Sequence, residues 1–403
     1  MIKVAVIGQG YVGLPIAVHA AKNGYRVIGF DANLNLVSNL NAGKSHIEDI
    51  SNEELKELIS LGTYSASSDY KDLIDVEIAV IAVPTPLDSD RNPDLTFVES
   101  ASKILANNLE KKALIINEST SYPGTLRNLI SPLFGKLSKI EHLFAISPER
   151  VDPGNKTWGI SNTPRLFAGL TPEASAKTRE FYSKFCDNLI EVSSPEVAEA
   201  AKLFENSFRQ VNIALVNELA LISRSLGISV REVLDAADSK PYGFMKFSPG
   251  LGVGGHCIPV DPSYLAFAAN QAGAKADFIQ LANEVNLHMP ARIVERIKNE
   301  NGGSLINKEV LVCGLSYKPN VADVRESPSL QLIGLLQAEG AEVKWHDPIV
   351  SELNNEKSTE LSENSFDICI LAMFHSVMDL NKIFKTAPYV FDCLGLIPGA
   401  VQI

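Results

Sequence analysis

The chain has 403 residues, 45% hydrophobic and 21% charged, which gives it apolar mass for two or three domains and excludes a disordered or low-complexity polymer. A net charge of −12 excludes a general nucleic-acid binder and leaves room for a locally basic pocket that takes an anionic small molecule. Five cysteines, odd in number and without CxxC spacing, exclude a disulfide framework or a zinc ribbon, so reduced thiols, no metal and a cytoplasmic location are expected.

The opening MIKVAVIG runs straight into strand-like sequence with no charged leader, and no window approaches the ~18 apolar residues that span a bilayer, so no membrane partner is expected. VAVIG at 4–8 is an unbroken apolar run that meets glycine; an amphipathic stretch follows from Tyr11 to Asn23, then RVIGF ends in Asp31, which predicts strand, helix, strand. IAVIAV at 78–83, ALII at 113–116 and LFAI at 143–146 are further buried strands with helix-like segments between them. This alternation predicts an α/β domain with a doubly wound parallel sheet over 1–194, whose ligands sit at the carboxyl ends of the strands. From Pro195 to Leu226 the pattern becomes one long helical stretch without Gly, predicting an all-helical central domain over 195–300. Strand alternation returns in EVLVCGLSY at 309–317, AEVKWHD at 341–347 and DICILAM at 367–373, so a second, smaller α/β domain over 301–403 is expected, with NGGS at 301–304 as the hinge.

The first turn reads Gly8-Gln9-Gly10-Tyr11-Val12-Gly13, a GxGxxG placed after a strand and opening a helix. In a Rossmann-type unit Gly8 permits the tight turn, Gly10 lets a pyrophosphate approach the backbone and Gly13 lets helix pack on strand. Asp31 ends the next strand where a carboxylate hydrogen-bonds an adenosine ribose, and no arginine follows to accept a 2′-phosphate, so NAD is expected rather than NADP. The bland alternative for Asp31 is a helix cap or a solvated loop acid.

Residues 248–265, SPGLGVGGHCIPVDPSYL, set Gly250, Gly252, Gly254 and Gly255 just ahead of Cys257, with Asp261 four residues beyond it. Cys313 and Cys369 lie in apolar strand runs where burial leaves a thiol inert, and nothing beside Cys186 or Cys393 suggests activation. Lys202 and Asn206, four apart on the long helix, share a face that Arg209 continues; the commoner reading of such a row is a solvated stripe. A nicotinamide and a thiol together suit oxidation of an alcohol to an aldehyde, capture as a thiohemiacetal, a second hydride loss to a thioester, and hydrolysis to an acid. Lys202 and Asn206 then hold the alkoxide and oxyanion, while Asp261 and Glu149 are the acid/base candidates.

These residues resemble the UDP-glucose/GDP-mannose dehydrogenase family, through GQGYVGLP, VPTP at 83–86, EST at 118–120, SPER at 147–150, AKLFEN at 201–206, GGHCIPVD at 254–261 and SYKPNVADVRES at 316–327. The resemblance implies two Rossmann-like domains joined by a helical domain whose long helix pairs subunits as a homodimer. It implies Cys257 as nucleophile with Lys202, Asn206 and Asp261 as partners, Glu149 as the hydrolytic glutamate and Thr120 ordering water near the nicotinamide. It also implies Thr85 and Arg325 as NAD contacts beside Gly8, Gly10, Tyr11, Val12, Gly13 and Asp31, and Lys318 as a contact to the nucleotide-sugar diphosphate. Lys202, Asn206, Arg209, Gly254 and Gly255 are expected at the substrate, with Lys246 adding charge to its phosphates. ESTSYPGT, SPERVDPGN, KPYGFM and GVGGHCIPVDP are most similar to the UDP-N-acetylhexosamine branch, which implies UDP-N-acetylglucosamine as substrate in surface-polysaccharide synthesis, with UDP-N-acetylmannosamine and then UDP-glucose as alternatives. The last strand departs from the family, offering Asp392 and Cys393 with no basic residue, and Asp152 aligns loosely with a second family acid. His256 is not read as a dyad partner of Cys257, because neighbours in an extended segment point apart. Two readings outside this scheme remain open: a two-electron β-hydroxyacid-type dehydrogenase, and an NAD-binding sensor without turnover.

Overall fold

The apolar runs become the central strands of two sheets in the computed structural model, which describes residues 1–403 apart from 48, 153, 154, 156 and 256. The histidine considered beside Cys257, and the Pro-Gly pair after Asp152, therefore lie outside the described residues. The chain divides into two units, Met1–Glu205 with Phe267–Ala274, and Asn206–Ala266 with Lys275–Ile403.

The first unit holds β1 (Lys3–Ile7), β2 (Arg26–Phe30), β3 (Tyr64–Ser67), β4 (Ile78–Ile81), β5 (Leu114–Asn117), β6 (Leu143–Ile146), β7 (Arg165–Gly169) and β8 (Leu189–Glu191). They form one sheet in the order β3-β2-β1-β4-β5-β6-β7-β8. Strands β1 to β6 pair in parallel, whereas β7 runs antiparallel to β6. The order reverses between β1 and β4, which puts the switch point at the turns after Ile7 and Ile81. Helices α1 (Gly13–Lys22), α2 (Leu34–Asn41), α3 (Asn52–Ser60), α4 (Thr96–Asn108), α5 (Ser131–Leu137) and α6 (Pro172–Tyr182) belong to this unit. The sheet is larger than the apolar runs predict: YSAS alternates buried and open residues, so its period of two escapes a search for continuous apolar sequence.

Helix α7 (Pro195–Leu226) spans the range expected for it and continues from the first unit into the second. The second unit adds α8 (Val230–Asp238), α9 (Asp261–Gln271, shared with the first unit), α10 (Asp277–Glu300), α11 (Pro328–Ala338) and α12 (Leu380–Phe384). Its strands are β9 (Glu309–Cys313), β10 (Glu342–His346), the hairpin β11 (Glu352–Leu353) and β12 (Glu356–Lys357), then β13 (Ile368–Leu371), β14 (Tyr389–Asp392) and β15 (Val401–Gln402). The five-stranded sheet, β10-β9-β13-β14-β15, is parallel throughout. Met289, Ile293, Val294 and Ile297 of α10 share one core with Val310, Ile368 and Phe391 of the sheet, so the Asn301–Ser304 turn connects elements of a single hydrophobic cluster. Among the described residues no helix is long and apolar enough to cross a membrane.

Candidate active site

The glycines of the first turn have different physical reasons. Gly8 has φ +92°, and a Cβ there would lie 2.4 Å from the carbonyl oxygen of Ala82 after β4. A Cβ on Gly13 would lie 1.8 Å from the carbonyl oxygen of Gly8. A Cβ on Gly10 meets no atom within 4 Å, so the packing of the chain itself places no demand for glycine there; a pyrophosphate lying against this turn would. Asp31 accepts the backbone N–H of Gln9 (2.9 Å) and of Asn33 (2.9 Å), which holds its carboxylate at the turn. The buried Gln9 side chain accepts from Tyr64 Oη (2.9 Å) and fills the space a Cβ on Gly29 would need, which accounts for the glycine inside RVIGF. Ser119 Oγ donates to the Val83 carbonyl (2.9 Å), fixing the segment that leads to the buried Thr85. Tyr11, Val12, Glu149 and Trp158 line a cavity of about 230 Å³ beside this turn. These residues fit a dinucleotide whose pyrophosphate rests on the start of α1.

Glu149 follows β6, where Oε1 accepts the N–H of Arg150 (2.6 Å) and of Val151 (2.5 Å) and Oε2 takes the Arg165 guanidinium (2.9 Å). Burial pushes this carboxyl up, but the Arg165 charge, the Val151 N–H, Lys202 and the Arg150 N–H outweigh it and hold it below the ordinary value. Glu118, at the end of β5, is pushed up to about 7 by burial, against the pull of Arg165. Glu199, one turn ahead of Lys202 on α7, accepts Ser121 Oγ (3.2 Å) and the N–H groups of Gly124 (2.6 Å) and Leu126 (3.1 Å), so it ties the loop after the half-buried Thr120 to α7. It too is pushed up to about 7 by burial.

Both raised carboxyls take up a proton on folding between their ordinary 4.5 and about 7, so their contribution to stability is full below 4.5 and gone as pH rises through 7. The buried His142, the half-buried His19 and the more open His46 are each shifted down, chiefly by loss of solvent around the ring, and act in the opposite sense below 6.5. A comparison between variants removes their contribution. Denaturant unfolding of the wild type and Glu118→Gln at pH 5 and pH 8 is expected to show the variant gaining on the order of 3 kcal/mol relative to wild type across that interval. An unchanged difference would mean that Glu118 titrates normally.

In the second unit Cys257 is exposed, whereas Cys186, Cys313, Cys369 and Cys393 are buried. The Cys257 carbonyl accepts the Asp261 N–H (2.8 Å), which sets the cysteine at the N-terminal turn of α9, the positive end of that helix. Buried Asp261 accepts Asn206 Nδ2 (2.6 Å). Three of the four glycines ahead of the cysteine are required by the chain's own packing. Gly252 has φ +120° and would put a Cβ 2.5 Å from the Asn286 carbonyl; Cβ atoms on Gly254 and Gly255 would meet Tyr317 at 2.7 and 2.6 Å. The Gly255 N–H also donates to the Arg325 carbonyl (3.0 Å).

Lys318 follows β9 on a loop whose shape is set by buried groups at the ends of three strands. The Asn320 N–H donates to His375 Nδ1 (2.9 Å), whose Nε2 faces Asp347 (3.0 Å), while Ser316 Oγ donates to the Lys318 carbonyl (2.9 Å). Arg325 is forked onto Asp323, and the exposed Lys246 pairs with Asp235. Arg209 is exposed while Asn206, less than one turn earlier, is buried, so the row that starts at Lys202 leaves the interior there. In the last strand Asp392 is spent on four backbone N–H groups, Leu394 to Ile397. Sequence reasoning missed Arg165, Tyr182 and Glu199; the one available signal for Arg165 is a lone cation opening the apolar run LFAG.

Models of the UDP-glucose/GDP-mannose dehydrogenase family match the chain in three parts, the NAD binding domain over residues 2–186, the central domain over 196–288 and the UDP binding domain over 311–398. The UDP-N-acetyl-D-glucosamine 6-dehydrogenase of Pseudomonas aeruginosa is 36% identical over 411 residues, covering 97% of this chain and 96% of that protein. The UDP-N-acetyl-D-mannosamine dehydrogenase of Pyrococcus horikoshii is 34% identical over 385 residues, covering 93% and 89%. A solved structure of UDP-D-ManNAc dehydrogenase from the same organism matches with a TM-score of 0.89 at 31% identity, over 100% of this chain and 98% of that one. The chain therefore belongs to the UDP-glucose/GDP-mannose dehydrogenase family, as an NAD-dependent oxidoreductase.

Proposed function

We propose that the protein oxidises the C6 hydroxyl of a UDP-N-acetylhexosamine, UDP-N-acetylglucosamine first, to the uronic acid, for surface-polysaccharide synthesis in the cytoplasm. The observation that carries this reading is the contrast among cysteines: the exposed one is the one set beside the paired Asn206 and Asp261. Residues 1–194 hold NAD, 195–300 carry the nucleophile, and 301–403 hold the UDP-sugar.

NAD supplies the acceptor for each of the two hydrides that leave the substrate carbon. Asp261, steadied by Asn206, takes the alcohol proton as the first hydride departs. The Cys257 sulfur adds to the aldehyde carbon, with Lys202 and Asn206 holding the oxyanion. Loss of the second hydride gives the thioester. Water opened on Glu149 releases the acid and returns the thiol, and Thr120 orders that water. Lys318 meets the diphosphate, with Arg325 at the cofactor. Phe204, Phe208, Leu215, Ile222 and Leu226 leave an exposed apolar row along α7, which supports a homodimer paired through that helix.

NADH counted against UDP-sugar consumed is expected to reach two for each molecule of UDP-N-acetylglucosamine. A ratio near one would exclude the thioester route and favour a two-electron dehydrogenase. The likeness to UDP-D-ManNAc dehydrogenase gives a second reading of the sugar, UDP-N-acetylmannosamine, decided by kcat/KM on a panel of both with UDP-glucose.

A further inference from the structure

Glu149 is held from behind by a buried set of groups that the reaction scheme leaves unassigned. Arg165, on β7, is 4% exposed and lies between two carboxylates. Its Nη2 donates to Glu149 Oε2 (2.9 Å), and its Nη1 faces Glu118 Oε2 (3.0 Å) and donates to Ser147 Oγ (3.2 Å). The guanidinium stacks 4.6 Å over the Tyr182 ring, and the Tyr182 hydroxyl donates to the other oxygen of Glu118. The Glu118 side chain is wholly buried, whereas Glu149 keeps 13% of its surface and lines the cavity beside Tyr11. One cation thus joins a carboxylate that reaches the cavity to one that is sealed off.

We propose that Arg165 is a positioning residue for Glu149, fixing one oxygen of its carboxylate and keeping it ionised, with Glu118 and Tyr182 holding the guanidinium in place. This rests on the reading of Glu149 as the group that opens the thioester. Each Glu149 oxygen has a donor, Oε1 from two backbone N–H groups and Oε2 from Arg165, so the carboxylate plane is set before substrate arrives. The charged or titratable groups that act on this set are Lys202 on α7, His19 on α1 and Cys186 after α6, besides the four members themselves. Of these, Lys202 favours the ionised Glu149, and Glu118, pushed up to about 7, accepts a proton first as pH falls, which leaves the Arg165 charge to Glu149. Lysine cannot replace the fork: one ammonium is a point charge and cannot span both carboxylates in the plane that arginine sets.

The test compares Arg165→Lys and the milder Tyr182→Phe with wild type, each also in a Glu149→Gln background. Arg165→Lys is expected to lower kcat roughly 10- to 100-fold, to leave KM for UDP-sugar within about twofold, and to move the acidic limb of the kcat profile up by about one pH unit. Tyr182→Phe, which keeps the arginine, moves the same limb in the same direction by less. In the Glu149→Gln background neither change lowers kcat further, because the group they act through is gone. Equal losses in both backgrounds, or an unmoved acidic limb, would overturn the proposal and leave Arg165 a structural residue. Mass analysis of quenched wild-type enzyme judges the underlying reading separately: no substrate mass on Cys257 removes the thioester, while the kcat profile and the Glu149→Gln comparison still decide whether Arg165 acts through Glu149.

Discussion

Replacing Cys257 by serine is expected to lower formation of the uronic acid by roughly 10⁴-fold or more, the scale on which loss of a covalent nucleophile acts. Serine is close in size and keeps the backbone turn at the start of α9, where the Cys257 carbonyl accepts the Asp261 N–H, so the fold is expected to survive. Its hydroxyl is a far weaker nucleophile than a thiolate, and the aldehyde is not captured. NAD affinity is expected to stay within about twofold, because the first turn that fits the dinucleotide lies on residues 8–13 and not on the cysteine loop. Cys393→Ser is the control: that thiol is buried and pushed well up by burial, it lies apart from the Arg165 set, and its loss is expected to leave turnover unchanged. NADH formation with UDP-sugar, followed with titration of NAD, measures both. Full acid production by the Cys257 variant would sink the covalent route.

Gly13→Ala is the second large effect, and it acts on folding. A Cβ there would stand 1.8 Å from the Gly8 carbonyl oxygen and 3.3 Å from a Val6 methyl. The near neighbour is backbone, itself fixed by the Gly8 N–H to the Phe30 carbonyl (2.8 Å), so nothing flexible is present to move aside. A cost of about 3–5 kcal/mol in denaturant unfolding is expected, with loss of NAD binding as the turn distorts. Gly10→Ala supplies the contrast: its Cβ meets no atom within 4 Å, so stability is expected to hold while NAD affinity falls by roughly 10- to 100-fold. Two glycines two and five residues into one motif are thereby separated into a ligand requirement and a packing requirement. Equal stability of the two variants would mean the turn relaxes more than its geometry allows.

Elements with a strong period were legible from residues alone. The limits of α7 follow from a stretch without glycine that begins at Pro195, and β6 is the apolar run LFAI itself. The half-buried edge strand β3 and the short β8 were not, because their residues owe their burial to neighbours far away in the chain. The same holds for the site. Cys257 stood out by its glycine-rich setting, while Arg165 and Glu118 act through burial and proximity that only the sheet creates, by laying β5, β6 and β7 side by side. Gly254 and Gly255 were expected at the substrate, but the group their bare backbone makes room for within the chain is Tyr317, from a segment some sixty residues on.

That packing makes the thiol segment and the segment bearing Lys318 a single lever. With Tyr317 wedged against bare main chain and the Gly255 amide latched to Arg325, neither stretch can swing without dragging the other. On the proposed reading, grip on the phosphates and delivery of the sulfur are geared together, so a molecule too short to engage one end is expected to fail to draw the other into register.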